Sequence, residues 1–511
     1  MASRGARFKR AMYWIHRWTG VGACVLMALW FVSGVVMLFV GYPKLTPWER
    51  LERLPALSAQ HCCAAFDVLA SEGITVSSAR EFKLTTIGGA PAYRVLFRDG
   101  SYGVFDAVTG ARRPAVDERA AILAAGNFVA GAAMPGLTPA RVPAHYLGMV
   151  KEDTWTHSGA LNAHRPLHQV QLDDADNTRV YVSSTTGEVV LDAPLYQRAW
   201  NYVGAWLHWL YLFRDRPVDP VWSWLVIVLS GVGVVSATTG TVVGIWRWRF
   251  SGRYKSGSRS PYRDGFMYWH HIIGLAFAAL VWTWIFSGLM SMNPGAVFTP
   301  SGPRPDMAAY REAAPDHHHL APAVVLPELY GAGFTPVELE WKTLAGTPFV
   351  LARNAANQTR LVLGEAGALE VLQRWPDSVL RLAMVSLLHA PIATFEQIDR
   401  YDAYYYARQP EAMMGASERR LPALKAQFED PGATTLYVDV YTGDVALSLA
   451  RSQRVGRWLF SFLHSWDLPS MLDSKWRDAL LILFSVGGLA VCVTGIKIGW
   501  SRIRRSAKSS S

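Results

Sequence analysis

Carboxylates are missing from the most apolar parts of this sequence. Four stretches are long enough to cross a hydrocarbon layer of ~30 Å, which takes roughly 20 helical residues. They run from Thr19 to Val40, Trp222 to Trp246, Ile272 to Met292 and Ala479 to Ile498, and none contains Asp or Glu. That absence argues against a proton or ion pump and weakens metal import, both of which need acidic groups at mid-membrane. Only Lys497 intrudes, at a span end where its stem can snorkel to the surface. Cysteine is also scarce, with 4 in 511 residues. Cys24 and Cys492 lie in spans, and the adjacent Cys62 and Cys63 are poorly placed to bridge each other, so no disulfide framework is expected. There is no Cys-x-x-Cys-His for covalent heme attachment. No Gly-x-Gly-x-x-Gly opens a helix, so a dinucleotide domain is not expected.

Charge is sparse as well, at 18% of residues, but it is unevenly placed. Arg4, Arg7, Lys9 and Arg10 precede the first span. Arg247, Arg249, Arg253, Lys255, Arg259 and Arg263 fill the short link between spans two and three, and Arg502, Arg504, Arg505 and Lys508 follow the fourth. Basic residues collect on cytoplasmic flanks, which puts both termini and the link inside and segments 41–221 and 293–475 outside. These flanks hold more positive charge than the net +10, so the outer segments are mildly acidic and nucleic acid is not implied. The first apolar run is too long for a cleaved signal and no small-x-small site ends it, so it reads as a retained anchor.

The chain is written twice. Met12-Tyr13-Trp14 matches Met267-Tyr268-Trp269, Ser33-Gly34 matches Ser287-Gly288, and RVYVSSTTGEV at 179–189 matches TLYVDVYTGDV at 435–445. Gln197-Arg198 and Leu207-His208 match Gln453-Arg454 and Leu463-His464, while Thr239-Gly240 and Gly244 match Thr494-Gly495 and Gly499. The register hardly drifts, so the chain divides into repeats 1–250 and 251–511, each span, outer domain, span. Parallel repeats imply a pseudo-twofold axis along the membrane normal. The expected fold is a four-helix membrane protein with two extracytoplasmic α+β domains.

In those outer domains RVYVSS and TLYVDVY read as strands ending in Thr-Gly-Glu or Thr-Gly-Asp turns, and AYRVLFRDGSYGVFDAVTG as a hairpin closed at Asp99-Gly100. HCCAAFDVLAS and VDERAAILAAGNFVA read as helices, which predicts small antiparallel sheets with a helix on each. DAYYYAR at 402–408 reads as half-buried strand, with a substrate surface as the other possibility.

Among 14 histidines, four occupy equivalent places beside the spans: His16, His208, His270 and His464. A single interfacial histidine is usually an ordinary amphipathic side chain, but two symmetric pairs point to ligation. His16 and His270 open the odd spans inside, whereas His208 and His464 precede the even spans outside, a bilayer thickness away, so pairing must be within a side. Gly20 and Gly34 follow His16, and Gly274 and Gly288 follow His270, on one helical face that leaves room for a flat macrocycle; the same glycines also suit close helix packing. His271 is an alternative ligand. Alignment on Met-Tyr-Trp selects it, and alignment on the His-x-x-x-Gly and Ser-Gly steps selects His270, which two nearer anchors favour. Two neutral imidazoles on one iron give a low-spin electron-transfer heme, here b-type, and two such hemes would form a wire across the membrane.

His16-Arg17-Trp18-Thr19-Gly20, the Tyr-Val-x-x-x-Thr-Gly-Glu/Asp turns, RWLFSFLHSWDLP at 457–469 and Thr494-Gly495 resemble the PepSY-associated transmembrane proteins, also described as iron-regulated membrane proteins. The resemblance covers nearly the whole chain and implies PepSY-like outer domains. It also implies kinship with inner-membrane ferric-siderophore reductases that carry two hemes and reduce iron in the periplasm. Siderophore oxygens suit ferric far better than ferrous iron, so one electron moved outward loosens the chelate. With no flavin or nicotinamide domain expected, the donor is quinol or a separate reductase, and the acceptor a ferric-siderophore or other metal chelate. The competing expectation is a noncatalytic anchored protein that binds peptide, protease or metal outside. Two further groups are candidate metal ligands: His157, His164 and His168 in the first outer domain, and the tract His317-His318-His319.

Overall fold

In the computed structural model the chain forms two compact units, one made of the described residues of 1–41, 199–300 and 452–511, the other of 42–198 and 301–451. The structure describes residues 4–58, 60, 62–63, 66–71, 73, 75–76, 79–130, 142–216, 219–300, 302–312, 317–365, 367–413, 415, 417–472 and 474–509.

The first is the membrane unit. Three helices are long and apolar enough to span a bilayer: α1 (Arg4–Phe39), α2 (Pro220–Arg247) and α5 (Lys475–Ser509). Asp219 sets the start of α2, because its side chain accepts from the amides of Val221 and Trp222 and Pro220 supplies a first-turn residue without a donor to lose. The third expected span is instead a pair, α3 (Gly265–Ala276) and α4 (Ala278–Ser291), bent by 69°. Proline is absent there. The break falls at Phe277, whose ring packs where Gly487 of α5 has no side chain and lies edge-on to Phe484. α1 packs against α2 and α5, and α2 against α3 and α4. Ala23, Cys24, Met27 and Phe31, spaced by three and four residues on α1, meet Val281, Ile285 and Cys492 in a buried core. Val25, Leu29 and Val32 of α1 and Val228, Val232 and Val235 of α2 stay exposed, an apolar outer surface suited to lipid.

The second unit is built mainly of antiparallel sheets. Each of the segments 42–198 and 301–451 builds its own four-stranded antiparallel sheet with a helix on it. In the first, Ala121, Ala124 and Ala125 of helix Glu118–Ala130 pack on Val170, Leu172, Val180 and Val182. In the second, Leu380, Ala383 and Met384 of helix Asp377–Val385 pack on Leu424, Ala426, Leu436 and Val438. The hairpin at Asp99-Gly100 forms as expected, with Gly100 at φ +87°. A third sheet, however, runs continuously through both segments. Its strands lie in the order Ala368–Leu372, Thr359–Glu365, Thr347–Arg353, Glu338–Leu344, Ala79–Ile87, Ala90–Phe97, Tyr102–Asp106. At the junction Phe82 pairs with Trp341 and Lys83 with Glu340. Joining two edges here removes exposed donors and acceptors. It also buries Phe82 and Trp341 in one aromatic cluster with Phe66 and Tyr93.

The helix expected over HCCAAFDVLAS is present at Phe66–Ser71, while positions 61, 64 and 65 of that stretch lie outside the described residues. Two smaller expectations change. Cys62 and Cys63, expected not to bridge, are joined by a disulfide, and both sulfur-bearing residues pack against the aromatic cluster. DAYYYAR is a loop, not a strand. Asp402 caps its turn by accepting from the amides of Tyr404 and Tyr405, and the buried Tyr405 ring stacks on Tyr437 at 4.9 Å.

Buried charges cross the junction of the shared sheet. Glu338, 1% exposed, accepts from Arg50 at 2.7 Å, and Lys83 lies 3.8 Å from it; Arg94 bonds both Glu81 and Glu188. Burial alone would raise the Glu338 carboxyl, but Arg50, Lys83 and Arg94 together hold it well below its ordinary value, and Arg94 and Arg50 do the same for buried Glu188. Carboxyls depressed in the folded state stabilise it above their ordinary value of 4.5. That stability is lost as pH falls below this value towards the folded-state pKa. Thermal unfolding of the purified chain is therefore expected to show the sheet-unit transition moving down steeply below about pH 4.5. Glu338→Gln should flatten that dependence and destabilise by about 3 kcal/mol at pH 7, because it leaves buried cations uncompensated. A pH-independent transition would contradict this role for the network.

Candidate functional site: two facing histidine pairs

Two histidine pairs occur in the membrane unit, and both join repeat-equivalent residues. His16 of α1 faces His270 of α3, with ring centroids 6.3 Å apart and planes 29° apart. His208 faces His464, with centroids 6.0 Å apart and planes at 72°. A metal ion held by two imidazole nitrogens at about 2 Å each, with about 1.1 Å more from nitrogen to ring centre, separates the centroids by about 6 Å. Both pairs have this separation.

The chain fixes each ring by its Nδ1. His16 Nδ1 donates to the Ser236 carbonyl at 3.1 Å, and His270 Nδ1 to the Val491 carbonyl at 3.1 Å and to Thr494 Oγ1 at 3.0 Å. Thr494 spends its own proton on the Ala490 carbonyl, so its oxygen accepts. At the other level His208 Nδ1 donates to Ser33 Oγ at 2.9 Å, and Ser33 donates onward to the Leu29 carbonyl. His464 Nδ1 donates to Ser287 Oγ at 3.0 Å, and Ser287 to the Trp284 carbonyl. An imidazole that donates from Nδ1 carries its lone pair on Nε2, the tautomer a metal ligand needs. None of the four Nε2 atoms has a hydrogen-bond partner among the described residues.

Helix α1 contributes to both levels. His16 and Ser33 are 33 − 16 = 17 residues apart on α1, which at the helical rise is about 25 Å. The turns that carry His208 and His464 share an unusual backbone. Each follows a π-helical stretch, Tyr202–Trp206 or Arg457–Phe462, and two residues after each histidine a left-handed residue, Leu210 or Trp466, reverses the chain. π-turns shift side chains off the 3.6-residue register and recur at functional sites. Trp30 Nε1 also donates to the His208 carbonyl at 2.9 Å.

Glycines adjoin every ring, though not all those expected. A Cβ on Gly34 or Gly288 would touch His208 or His464 Cε1 at ordinary distances of 3.7 and 3.8 Å. On Gly240 it would stand 2.6 Å from His16 Cε1, and on Gly495 3.3 Å from His270 Cε1. Gly20, predicted to line a macrocycle, faces Ser236 Oγ at 3.7 Å, and Gly274 has open space around it. Gly240, Gly495, Ser33, Ser287 and Thr494 were visible in the sequence as repeat matches, but only the fold shows that they touch the imidazoles.

His271 is placed differently. It is buried, with Nδ1 bonded to Ser260 Oγ at 2.7 Å and Nε2 to the Gly244 carbonyl at 2.9 Å, between the rings of Trp248 and Tyr262. Both nitrogens are committed within the protein.

The other histidine groups do not converge. No set of three or more His, Cys, Asp or Glu side chains comes together to hold a metal among the described residues. His157 pairs with Glu152, and His164 stacks on Tyr102 and bonds Ser183. His168, inside a strand, is bonded at both nitrogens, to Tyr146 and the Val116 carbonyl. Burial keeps His164 and His168 less basic than usual. In the second tract His317 is buried near Thr343, His318 lies edge-on to Phe66, and His319 joins the same short turn.

Four neutral imidazoles in two facing pairs, with fixed tautomers and free Nε2 atoms, form a donor set that fits two six-coordinate irons in b-type hemes. Comparison with known families gives a match over most of the chain. The profile described as the PepSY-associated TM region matches residues 13–390, well over half of the chain. No curated protein matches.

Proposed function

The chain belongs to the PepSY-associated TM family, and on that footing we propose that it is an inner-membrane diheme reductase that passes electrons outward to a periplasmic ferric-siderophore or related metal chelate. The observation that carries the proposal is the pairing of His16 with His270 and His208 with His464, each pair at a separation that admits one ligated iron. His16 and His270 hold the inner heme in this reading, and His208 and His464 the outer one. Hemes held there by the four imidazoles would supply one-electron chemistry.

The chain's own residues do the rest. Ser33, Ser287, Thr494 and the carbonyls of Ser236 and Val491 hold the imidazoles in one tautomer and one orientation, so little reorganisation accompanies a change of charge. The apolar core between the levels, with Met27, Phe31 and Ile285, excludes water. Spans without carboxylates give protons and ions no stepping stones, which suits a protein that moves electrons alone. With no dinucleotide motif in the sequence, the donor in this reading is quinol or a separate reductase. The noncatalytic alternative leaves four anchored imidazoles in two symmetric pairs without a role.

The test uses the full chain in detergent, anaerobically reduced with dithionite and freed of excess reductant. Adding a ferric siderophore should return the absorbance to the oxidised form, with about one ferrous iron per heme captured by a ferrous-specific dye. A reduced protein that stays reduced over hours in excess chelate would overturn the reductase reading.

A further inference from the structure

The core between the two histidine levels contains two thiols that the proposed electron path does not use. Cys24 of α1 and Cys492 of α5 are 6% and 0% exposed and share one buried cluster, with Cys24 Sγ against Gly495, three residues from Cys492 on the same helix. α5 offers α1 a smooth face. Gly488 receives the Phe31 ring, Gly495 lies against Cys24 Sγ and Gly499 against Val21, so the helices approach closely on either side of Cys492. The repeat makes the placement informative. In the registers that align His16 with His270 and Gly240 with Gly495, Cys24 corresponds to Ala278 and Cys492 to Ala237. The two repeat-equivalent positions, one in each repeat, are thus both alanine, while these two are both cysteine. Packing alone needs neither.

We propose that Cys24 and Cys492 are a redox-active dithiol that closes reversibly into a disulfide and staples α1 to α5 between the histidine pairs. Closure forms one S–S bond and breaks two S–H bonds. The two protons and two electrons pass to a small lipid-soluble acceptor of the quinone class, which becomes a quinol; a dithiol reductant reverses the step. The staple lies one residue from Val491 and two from Thr494, which hold His270, and on the same helix as His16. The oxidised form ties α1 to α5 covalently beside the inner pair, and the reduced form leaves that contact to packing alone.

A single cleavage reads the link without reference to any heme. A protease site placed in the exposed segment 255–257 divides the membrane-embedded chain so that Cys492 is the only cysteine of the second fragment, while Cys24, Cys62 and Cys63 lie in the first. After treatment with a short-chain quinone, and in parallel with copper-phenanthroline, most of the cleaved chain should run as one band on a non-reducing gel and separate with dithiothreitol. Cys24→Ala and Cys492→Ala should separate in every lane, and since the repeat-equivalent positions 278 and 237 are both alanine, both variants are expected to fold. Fragments that separate under both oxidants in the parent chain would overturn the proposal, and so would fragments that remain joined in Cys24→Ala. Loss of heme without loss of the cross-link would count against the electron-transfer reading alone.

Discussion

His464→Ala should remove about half of the b-type absorbance, and the purified variant should no longer reduce an external ferric chelate. The expectation rests on geometry. His464 and His208 face each other at 6.0 Å, and no other described histidine shares their level of the membrane unit, so one truncation leaves the outer iron with one protein ligand. The inner pair, about 25 Å away along α1, keeps its ligands and its absorbance. On the proposed function, electrons delivered to the first level would then have no onward path to the chelate. His271→Ala is the matched comparison. It removes a buried imidazole bonded to Ser260 and to the Gly244 carbonyl, a structural loss of about 1–3 kcal/mol that should leave the heme content unchanged. Equal heme loss in both variants would show that global packing, and not ligation, controls the spectrum.

Gly240→Ala should be nearly as damaging to the inner heme as loss of a ligand, although alanine is a milder change and is preferred to glycine within a helix. A Cβ at this position would stand 2.6 Å from His16 Cε1 and 2.9 Å from Nδ1. Real side chains do not approach so closely, so the ring must leave the place where it donates to the Ser236 carbonyl. Inner heme should then be lost while the outer heme remains. Gly22→Ala on α1 meets nothing within 4 Å and should retain both hemes with unchanged or slightly higher thermal stability. An unshifted spectrum in Gly240→Ala would mean that His16 is not held where the structure has it. Absorbance per chain, measured before and after dithionite, reads both variants.

The sequence made the histidine pairs legible because the repeat register is nearly constant, so four residues scattered over the chain could be sorted into two levels by span and side. The register also marked Ser33, Ser287, Gly240 and Gly495, yet a match along the chain does not say which side chain points at which. The preference for His270 over His271 came from anchors near the span, and the structure adds a physical contrast between the two: one ring has a free nitrogen, the other has none. The break at Phe277 had no signal, since it depends on a ring fitting over Gly487 of a distant helix and not on proline. Strand content was readable from alternation in RVYVSS and TLYVDVY. The shared seven-stranded sheet was not, because a strand's partner across segments is chosen by edge pairing and by the fit of Phe82 to Trp341. HSGALNAHRPLH illustrates the limit of local spacing. Its three histidines fall in a loop, at the end of a 3-10 turn and inside a strand, and so take three different partners.

The central claim, that each facing histidine pair binds one iron, is tested most directly by the heme content of the purified full chain. A pyridine hemochrome assay set against quantitative amino-acid analysis should give two b-type hemes per chain, with a reduced spectrum typical of bis-histidine ligation. A folded chain that carries no heme, and takes up none when reconstituted, would contradict the account.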